Sequence, residues 1–207
     1  MSPGKRILDL TLCLVLGLLL WPVVLVISVL ILLRDGRPVF FLSERMKTAD
    51  RAFLLVKFRT MTTDPQDGGV SGGDKAARIT ATGRVLRRYR LDEIPQLWNI
   101  LKGDISFVGP RPPLRRYVEM FPELYGEVLR SRPGLTGLAT MMFHRREAQL
   151  LAGCRTAEET EATYIRRCVP VKARLDLIYG RNKSVCYDLA LMSATLFGGD
   201  PARKRRS

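Results

Sequence analysis

Two carboxylates stand side by side at Asp92 and Glu93, inside the stretch LDEIPQLWNILKGDISFVGPRPP at 91–113. A basic run, RVLRRYR, precedes them at 84–90, and a Gly-Pro-Arg-Pro turn at 109–112 follows. Acids flanked by arginines suit phosphate chemistry with a metal ion. A carboxylate can act as nucleophile or ligate a hard cation, and a guanidinium fork matches phosphate oxygens. Pro95 is tolerated only in a first helical turn, which sets Asp92 near an N-cap. Ile94, Leu97, Trp98 and Leu101 then share one face and read as a core stripe, and Gly103 ends the helix. Capping by Asp92 and a first-turn acid at Glu93 would account for the pair without any chemistry. Adjacent helical residues diverge by about 100°, however, so one acid can face a reacting atom while the other takes a metal.

The elements that must position this pair begin with an apolar segment. From Leu10 to Leu33 the chain carries no charge over 24 residues. As a helix these would span roughly 36 Å, enough to cross a hydrocarbon core of about 30 Å. A signal peptide fits less well, because the run is long and no small-residue cleavage site follows it. Pro22, near the centre, lacks an N–H and clashes with the carbonyl of Leu18, which predicts a kink or break. Lys5 and Arg6 precede the segment and Arg34 and Arg37 follow it, so the positive-inside preference holds both flanks on the cytoplasmic side. The residues alone leave a re-entrant hairpin and a kinked span equally open. Asp9, one turn from Lys5 and close to Arg6, suggests a local ion pair.

The remainder fits one domain with an appendage. The net charge of +14, from 34 Lys and Arg against 20 Asp and Glu, predicts an anionic partner: nucleic acid, anionic lipid or a phosphorylated substrate. Cys13, Cys154, Cys168 and Cys186 form no CxxC pair, so they read as reduced thiols rather than a zinc site or disulfide framework. The single histidine, His144, reads as an ordinary surface or groove residue. Residues 38–43 and 52–58 are apolar runs separated by a polar stretch, a β-hairpin pattern. Residues 62–75, rich in Gly and Asp, read as a loop, with a passive surface loop and a lid over a site equally weighted. Helical stretches are expected around 156–168 and 187–197, and PARKRRS at 201–207 reads as a disordered tail able to touch anionic lipid.

In combination these pieces resemble the bacterial sugar transferases, the monotopic polyprenyl-phosphate phosphoglycosyl transferases. The resemblance runs from Lys5 to about Phe197. It rests on Lys5, Arg6 and Asp9, the apolar segment interrupted by Pro22, PVFF at Pro38, KFRTM at 57–61, the 91–112 stretch, RPGLTG at 132–137, and Tyr179, Asn182, Ser184 and Asp188. It implies an α+β, mainly helical fold. Residues 1–36 would form a re-entrant membrane hairpin broken at Pro22. Residues 37–200 would form a cytoplasmic catalytic body with a β-hairpin and interfacial helices, and 201–207 the tail. It also implies transfer of a phosphosugar from a UDP-sugar to undecaprenyl phosphate at the cytoplasmic face of the inner membrane. This would be the first membrane step of exopolysaccharide or other glycan assembly. Mg²⁺ is the implied cofactor and UMP the by-product.

By the same resemblance Asp92 is the nucleophile, forming an aspartyl-phosphosugar, and Asp92 and Glu93 together hold Mg²⁺. Lys57, Arg59, Arg87, Arg111, Arg132 and Thr136 are the implied phosphate- and substrate-binding residues. Two departures stand out. Trp21 precedes Pro22 where relatives often carry Ser. After RPGLTG the chain reads LATMMFHRR at 138–146 instead of Trp-Ala-Gln and an Asn-Gly-Arg element, which leaves open an unusual donor or a reduced or lost activity. The alternative is a non-catalytic membrane scaffold binding anionic lipid or partner proteins. Nucleic acid is not an expected partner, because the apolar segment argues against it. The sequence leaves homodimerisation open.

Overall fold

The first helix sets the frame for everything else. The computed structural model describes residues 1–62 and 73–197. Helix α1 runs from Pro3 to Arg34, 32 residues or about 48 Å. Ser2 caps it by accepting the Lys5 N–H, and Pro3 occupies the first turn, where its missing N–H costs nothing. The break expected at Pro22 is absent: Pro22 lies inside one continuous helix. A proline removes a single backbone bond, and the long Leu- and Val-rich run on either side carries the helix past it. Most of α1 is exposed and apolar, including Leu14, Leu18, Leu19, Trp21, Leu25 and Val26.

Only its two ends are buried, and both belong to one body. At the N-terminal end Arg6 donates to the carbonyls of Ile100 (2.7 Å) and Leu101 (2.8 Å). Asp9 does not form the expected local pair. It is buried and accepts from Ser106 Oγ (3.0 Å) and the Phe107 N–H (3.2 Å), while Lys5 pairs with Asp188. At the C-terminal end Ile27 and Ile31 pack with Phe58 and Leu86. There Thr80 Oγ1 donates to Asp35 Oδ2 (3.2 Å).

The expected hairpin forms. Strands β1 (Phe40–Met46) and β2 (Ala52–Phe58) pair antiparallel from Phe40↔Phe58 to Met46↔Ala52. Asn99 fastens it to the next layer, accepting the Val56 N–H (3.0 Å) and donating to the Leu54 carbonyl (2.8 Å). After a 3₁₀ turn at Gly73–Arg78, helix α2 covers Ala81–Arg88. The loop expected at 62–75 lies mostly outside the described residues.

The helix expected from Asp92 arrives in two pieces, a 3₁₀ turn at Leu91–Gln96 and helix α3 at Leu97–Lys102. Asp92 is thus within the 3₁₀ turn and is not its cap; that place belongs to Arg90. Gly103 ends α3 at φ 78°, as the sequence indicates. The core stripe is a correction. Trp98 is 57% and Leu101 47% exposed, whereas Gln96, Asn99 and Ile100 are buried. The face carrying Asn99 is turned inward because that side chain satisfies the backbone of β2.

Strand β3 (Ser106–Val108) pairs in parallel with β4 (Gly134–Thr136), a short strand that RPGLTG contributes. The contact between their flanking turns is backbone on backbone. A Cβ on Gly109 would meet the Arg132 carbonyl oxygen at 2.2 Å, and one on Gly137 would meet the Gly109 oxygen at 2.1 Å. Helices α4 (Arg115–Met120), α5 (Pro122–Val128), α6 (Leu138–Ala152), α7 (Ala157–Thr163), α8 (Val169–Asn182) and α9 (Val185–Phe197) complete the described chain, with a π-helical turn at Tyr164–Cys168 leading into α8. One core gathers Met46, Tyr117, Tyr125, Leu151, Tyr164 and Cys168, and another gathers Cys13, Phe53, Ile100, Phe107, Tyr179 and Leu191. All four cysteines are free, and the tail at 201–207 lies outside the described residues.

Candidate active site

Strand β2, the 3₁₀ turn at Leu91–Gln96, the end of α2 and the turn after β3 converge on a cavity of about 480 Å³ whose far wall is α6 and α8. The chain enters the 3₁₀ turn through Arg90 at φ 56°. A left-handed conformation in a residue with a side chain costs roughly 1–2 kcal/mol and recurs at functional sites. It reverses the chain so that the basic end of α2 and the two acids share one rim.

The acids differ sharply in their surroundings. Glu93 Oε1 accepts from Lys57 Nζ (3.1 Å) and from Arg111 Nη2 (2.8 Å), and Arg90 Nη1 lies 3.9 Å from its other oxygen. Burial alone would raise the Glu93 carboxyl, but the charges of Arg111 and Lys57 outweigh it and hold the group well below the usual carboxylate range. Asp92 is only 9% exposed, and among the described residues no side chain donates to its carboxylate. Burial pushes the Asp92 carboxyl up, and the nearby charge of Lys57 only partly offsets this. Lys57 is itself drawn down to about 8, by burial and then by Arg111. Arg111 is held further towards its charged form by Glu93. Arg87 reaches the cavity from α2 and is steadied by Thr60 Oγ1 (3.1 Å) and Met61 Sδ (3.3 Å).

Of the residues singled out from sequence, Lys57, Arg87, Asp92, Glu93 and Arg111 meet at this cavity. Three do not. Arg59 is buried elsewhere and donates to the carbonyls of Asp35 (2.6 Å), Gly36 (2.7 Å) and Pro38 (2.6 Å), tying the end of α1 to the hairpin. Arg132 lies beside Arg6 and Gly103. Thr136 Oγ1 is 3.2 Å from the Thr195 hydroxyl.

The cavity also contains residues that the sequence reading did not select: Arg45, Glu147, Tyr164, Lys172 and Asp176. Helical spacing offered a signal for some of them. Thr140, His144, Glu147 and Leu151 recur along one face of α6, and Lys172 and Asp176 are one turn apart on α8. His144 proves to be a groove residue, with Nδ1 2.8 Å from the Thr140 carbonyl.

Asp92 and Glu93 are the carboxylates that would hold Mg²⁺ at the rim, where Glu93 already faces Lys57, Arg111 and Arg90. That ion takes one or two carboxylates and fills its remaining positions with phosphate oxygens and water. Asp92 and Glu93 provide two carboxylates, and no group of three or more metal-ligating side chains occurs among the described residues.

Comparison with known proteins assigns the chain to a family. Residues 2–198 match the Bacterial sugar transferase family. The sugar transferase EpsL of Bacillus subtilis is 40% identical over 135 residues, covering 65% of this chain and 66% of its own. The UDP-N-acetylgalactosamine-undecaprenyl-phosphate N-acetylgalactosaminephosphotransferase of Aeromonas hydrophila is 32% identical over 93% of this chain. The UDP-glucose:undecaprenyl-phosphate glucose-1-phosphate transferase of Klebsiella pneumoniae is 33% identical over 94%. The chain spans 42% and 40% of the length of these last two. With a family match along nearly its whole length, over the segments that build the Asp92–Glu93 cavity, the chain belongs to the bacterial sugar transferase family.

Proposed function

We propose that the protein transfers a sugar phosphate from a UDP-sugar to undecaprenyl phosphate, by way of an aspartyl-phosphosugar on Asp92, as an early step of exopolysaccharide or other glycan assembly. The observation that carries this reading is the difference between the two acids. Glu93 is immobilised by Lys57 and Arg111, while Asp92 is desolvated and unclamped. A desolvated carboxylate that no side chain clamps keeps lone pairs for attack.

In the first half-reaction an Asp92 oxygen attacks the phosphorus that bears the sugar. The bond from that phosphorus to UMP breaks, and UMP departs with the electron pair. In the second, a phosphate oxygen of the lipid attacks the same phosphorus, the bond to Asp92 breaks and the carboxylate is restored. Lys57, Arg87, Arg90 and Arg111 bind and orient the diphosphate, and Glu93 fixes Lys57 and Arg111 in place for it. Mg²⁺ held by Asp92, Glu93 and the diphosphate would offset charge on the leaving UMP.

The same reading seats α1 at the cytoplasmic leaflet of the bacterial inner membrane, with both of its ends on one face. Its support is that both ends of α1 are bonded to one body. A spanning helix would hold its ends on opposite sides of about 30 Å of hydrocarbon. The test is release of UMP from a panel of UDP-sugars with Mg²⁺ and undecaprenyl phosphate. Release by wild type and none by Asp92→Asn is the expected result; no release by well-folded wild type with any donor would sink the reading.

A further inference from the structure

We propose that Arg45, together with Arg111, binds a phosphate group that is not bonded to Asp92: the one that leaves with UMP or the one that enters on the lipid. The proposal rests on the transferase reading and adds to it a binding residue that the sequence reading did not select.

The hairpin delivers this side chain. Arg45 stands on β1 two residues from Ser43 and four from Phe41, and Lys57 on β2 is the register partner of Phe41. Side chains alternate along a strand, so Arg45 and Lys57 leave the hairpin on one face, and both line the cavity. Arg45 Nε donates to Ser43 Oγ (3.2 Å) and Nη1 to the Pro112 carbonyl (3.4 Å). These contacts hold the guanidinium against the turn that carries Arg111. Its Nη2 donates to no protein atom among the described residues.

The charge of Arg45 is unmatched. Lys57, Arg90 and Arg111 face Glu93, and Lys172 pairs with Glu147. Arg87 has no carboxylate at ion-pair distance, but its charge acts on Asp92. Among the described residues Arg45 has no carboxylate at ion-pair distance either, and the charge acting on it most strongly is another cation, Arg111. Burial, and then that repulsion, draw the Arg45 guanidinium down to about 10. A buried arginine is ordinarily paired, because an unpaired charge away from water is costly. An anion between the two arginines would pair the first and offset its repulsion with the second. Arg111 uses Nη2 on Glu93 and keeps other donors for a second acceptor. Two guanidinium forks meeting at one point suit the oxygens of a phosphate.

The order of the chemistry says which phosphate. The charges acting most strongly on Asp92 are Lys57, Glu93 and Arg87, and Arg45 is not among them. Lys57 and Arg87 thus attend the phosphate that becomes bonded to Asp92, and Arg45, beside Arg111, is placed for its neighbour. In a phosphoryl transfer the attacking and leaving oxygens lie roughly in line. Asp92 attacks opposite UMP, and the lipid phosphate then attacks opposite Asp92, from the side that UMP has vacated. One cation on that side can meet both phosphates in turn.

The experiment measures binding of UMP, uridine, undecaprenyl phosphate and undecaprenol to full-length protein in nanodiscs. Wild type is compared with Arg45→Met and Arg45→Gln; two variants guard against one failing to fold. UMP release from a panel of UDP-sugars by wild type is measured in parallel. Wild type should bind each phosphate ligand at least tenfold tighter than its phosphate-free counterpart. The variants should lose that advantage at least tenfold for UMP, for the lipid or for both, with uridine and undecaprenol within twofold of wild type. Loss for UMP alone assigns Arg45 to the leaving phosphate, and loss for the lipid alone assigns it to the entering one. Loss for both assigns it to the two in turn, and each of these results upholds the proposal. Variants that keep both advantages would overturn it, leaving Arg45 a brace for the Pro112 carbonyl. Loss of uridine or undecaprenol affinity in both variants would also overturn it, because Arg45 would then be shaping the cavity as a whole. Absence of UMP release from wild type with every donor would instead remove the transferase reading itself, and the proposal with it.

Discussion

Arg111 Nη2 lies 2.8 Å from Glu93 Oε1, a contact between residues 18 apart in sequence that closes the turn after β3 onto the 3₁₀ turn carrying the acids. The pair is part-buried, with Arg111 34% exposed, so its strength lies between that of a surface and an interior bridge. Glu93→Gln should lower stability by about 1–2 kcal/mol, measured as a fall in melting temperature, and should weaken donor binding because Lys57 and Arg111 lose their anchor. The pH dependence follows from the sign of the shift. A carboxyl held below its ordinary 4.5 contributes stability that is complete above that pH and is lost as the pH falls through the folded-state value. Wild type should therefore lose stability in acid more steeply than Glu93→Gln.

Asp92→Asn should separate folding from chemistry. The carboxyl is raised by burial, so its charged form is disfavoured in the folded chain, and the amide should leave the melting temperature at neutral pH unchanged or higher. Transfer should fall by at least about a thousandfold. Intact-mass analysis after incubation with donor should show a phosphosugar adduct on wild type and none on the variant. An adduct retained by Asp92→Asn would place the nucleophile elsewhere.

Asp176 makes an opposite prediction about pH. Its carboxyl is moved from 3.8 up to about 7 by burial, with Lys172 opposing weakly. Between these values the folded chain holds a proton that the unfolded chain has released. Stability should therefore fall as the pH rises from about 4 to about 7, then level off. Asp176→Asn should flatten that slope and be more stable at pH 8 by on the order of 1 kcal/mol or more, with thermal melts across pH as the measurement.

The two ends of α1 should be reachable from one side. Ser2→Cys and Arg37→Cys, each in membrane vesicles, should react with an impermeant maleimide from the same side as Cys186, which is exposed on the body. Labelling of the two engineered thiols from opposite sides would show that α1 spans the bilayer.

Much of this was legible in sequence where the signal is local. The hairpin at 40–58 and the stop at Gly103 followed from periodicity and turn chemistry, whereas Lys57, Arg87 and Arg111, which meet Asp92 and Glu93 at the cavity, were named by the family resemblance. Trp98 and Leu101 misled for a physical reason. An apolar side chain suits a protein core and a lipid-facing surface equally, so the pattern fixes a face without saying what covers it. Asp9 misled because its real partners, Ser106 and Phe107, lie almost a hundred residues away and β3 had to be in place to supply them. Arg59 illustrates a third limit. KFRTM places it two residues beyond Lys57, but its guanidinium serves three carbonyls at the end of α1, a structural task that charge alone cannot distinguish from phosphate binding.

The backbone contact between Gly109 and the RPGLTG segment has a consequence for how such proteins tolerate change. Arg111 owes its position to a turn pressed so close to its neighbour that neither Gly109 nor Gly137 has room for a methyl group. In a saturation library selected for transfer, both glycines should be as intolerant as the acids themselves, although neither lines the cavity. Sequence constancy at these two positions would then record clearance between two stretches of main chain rather than contact with a substrate.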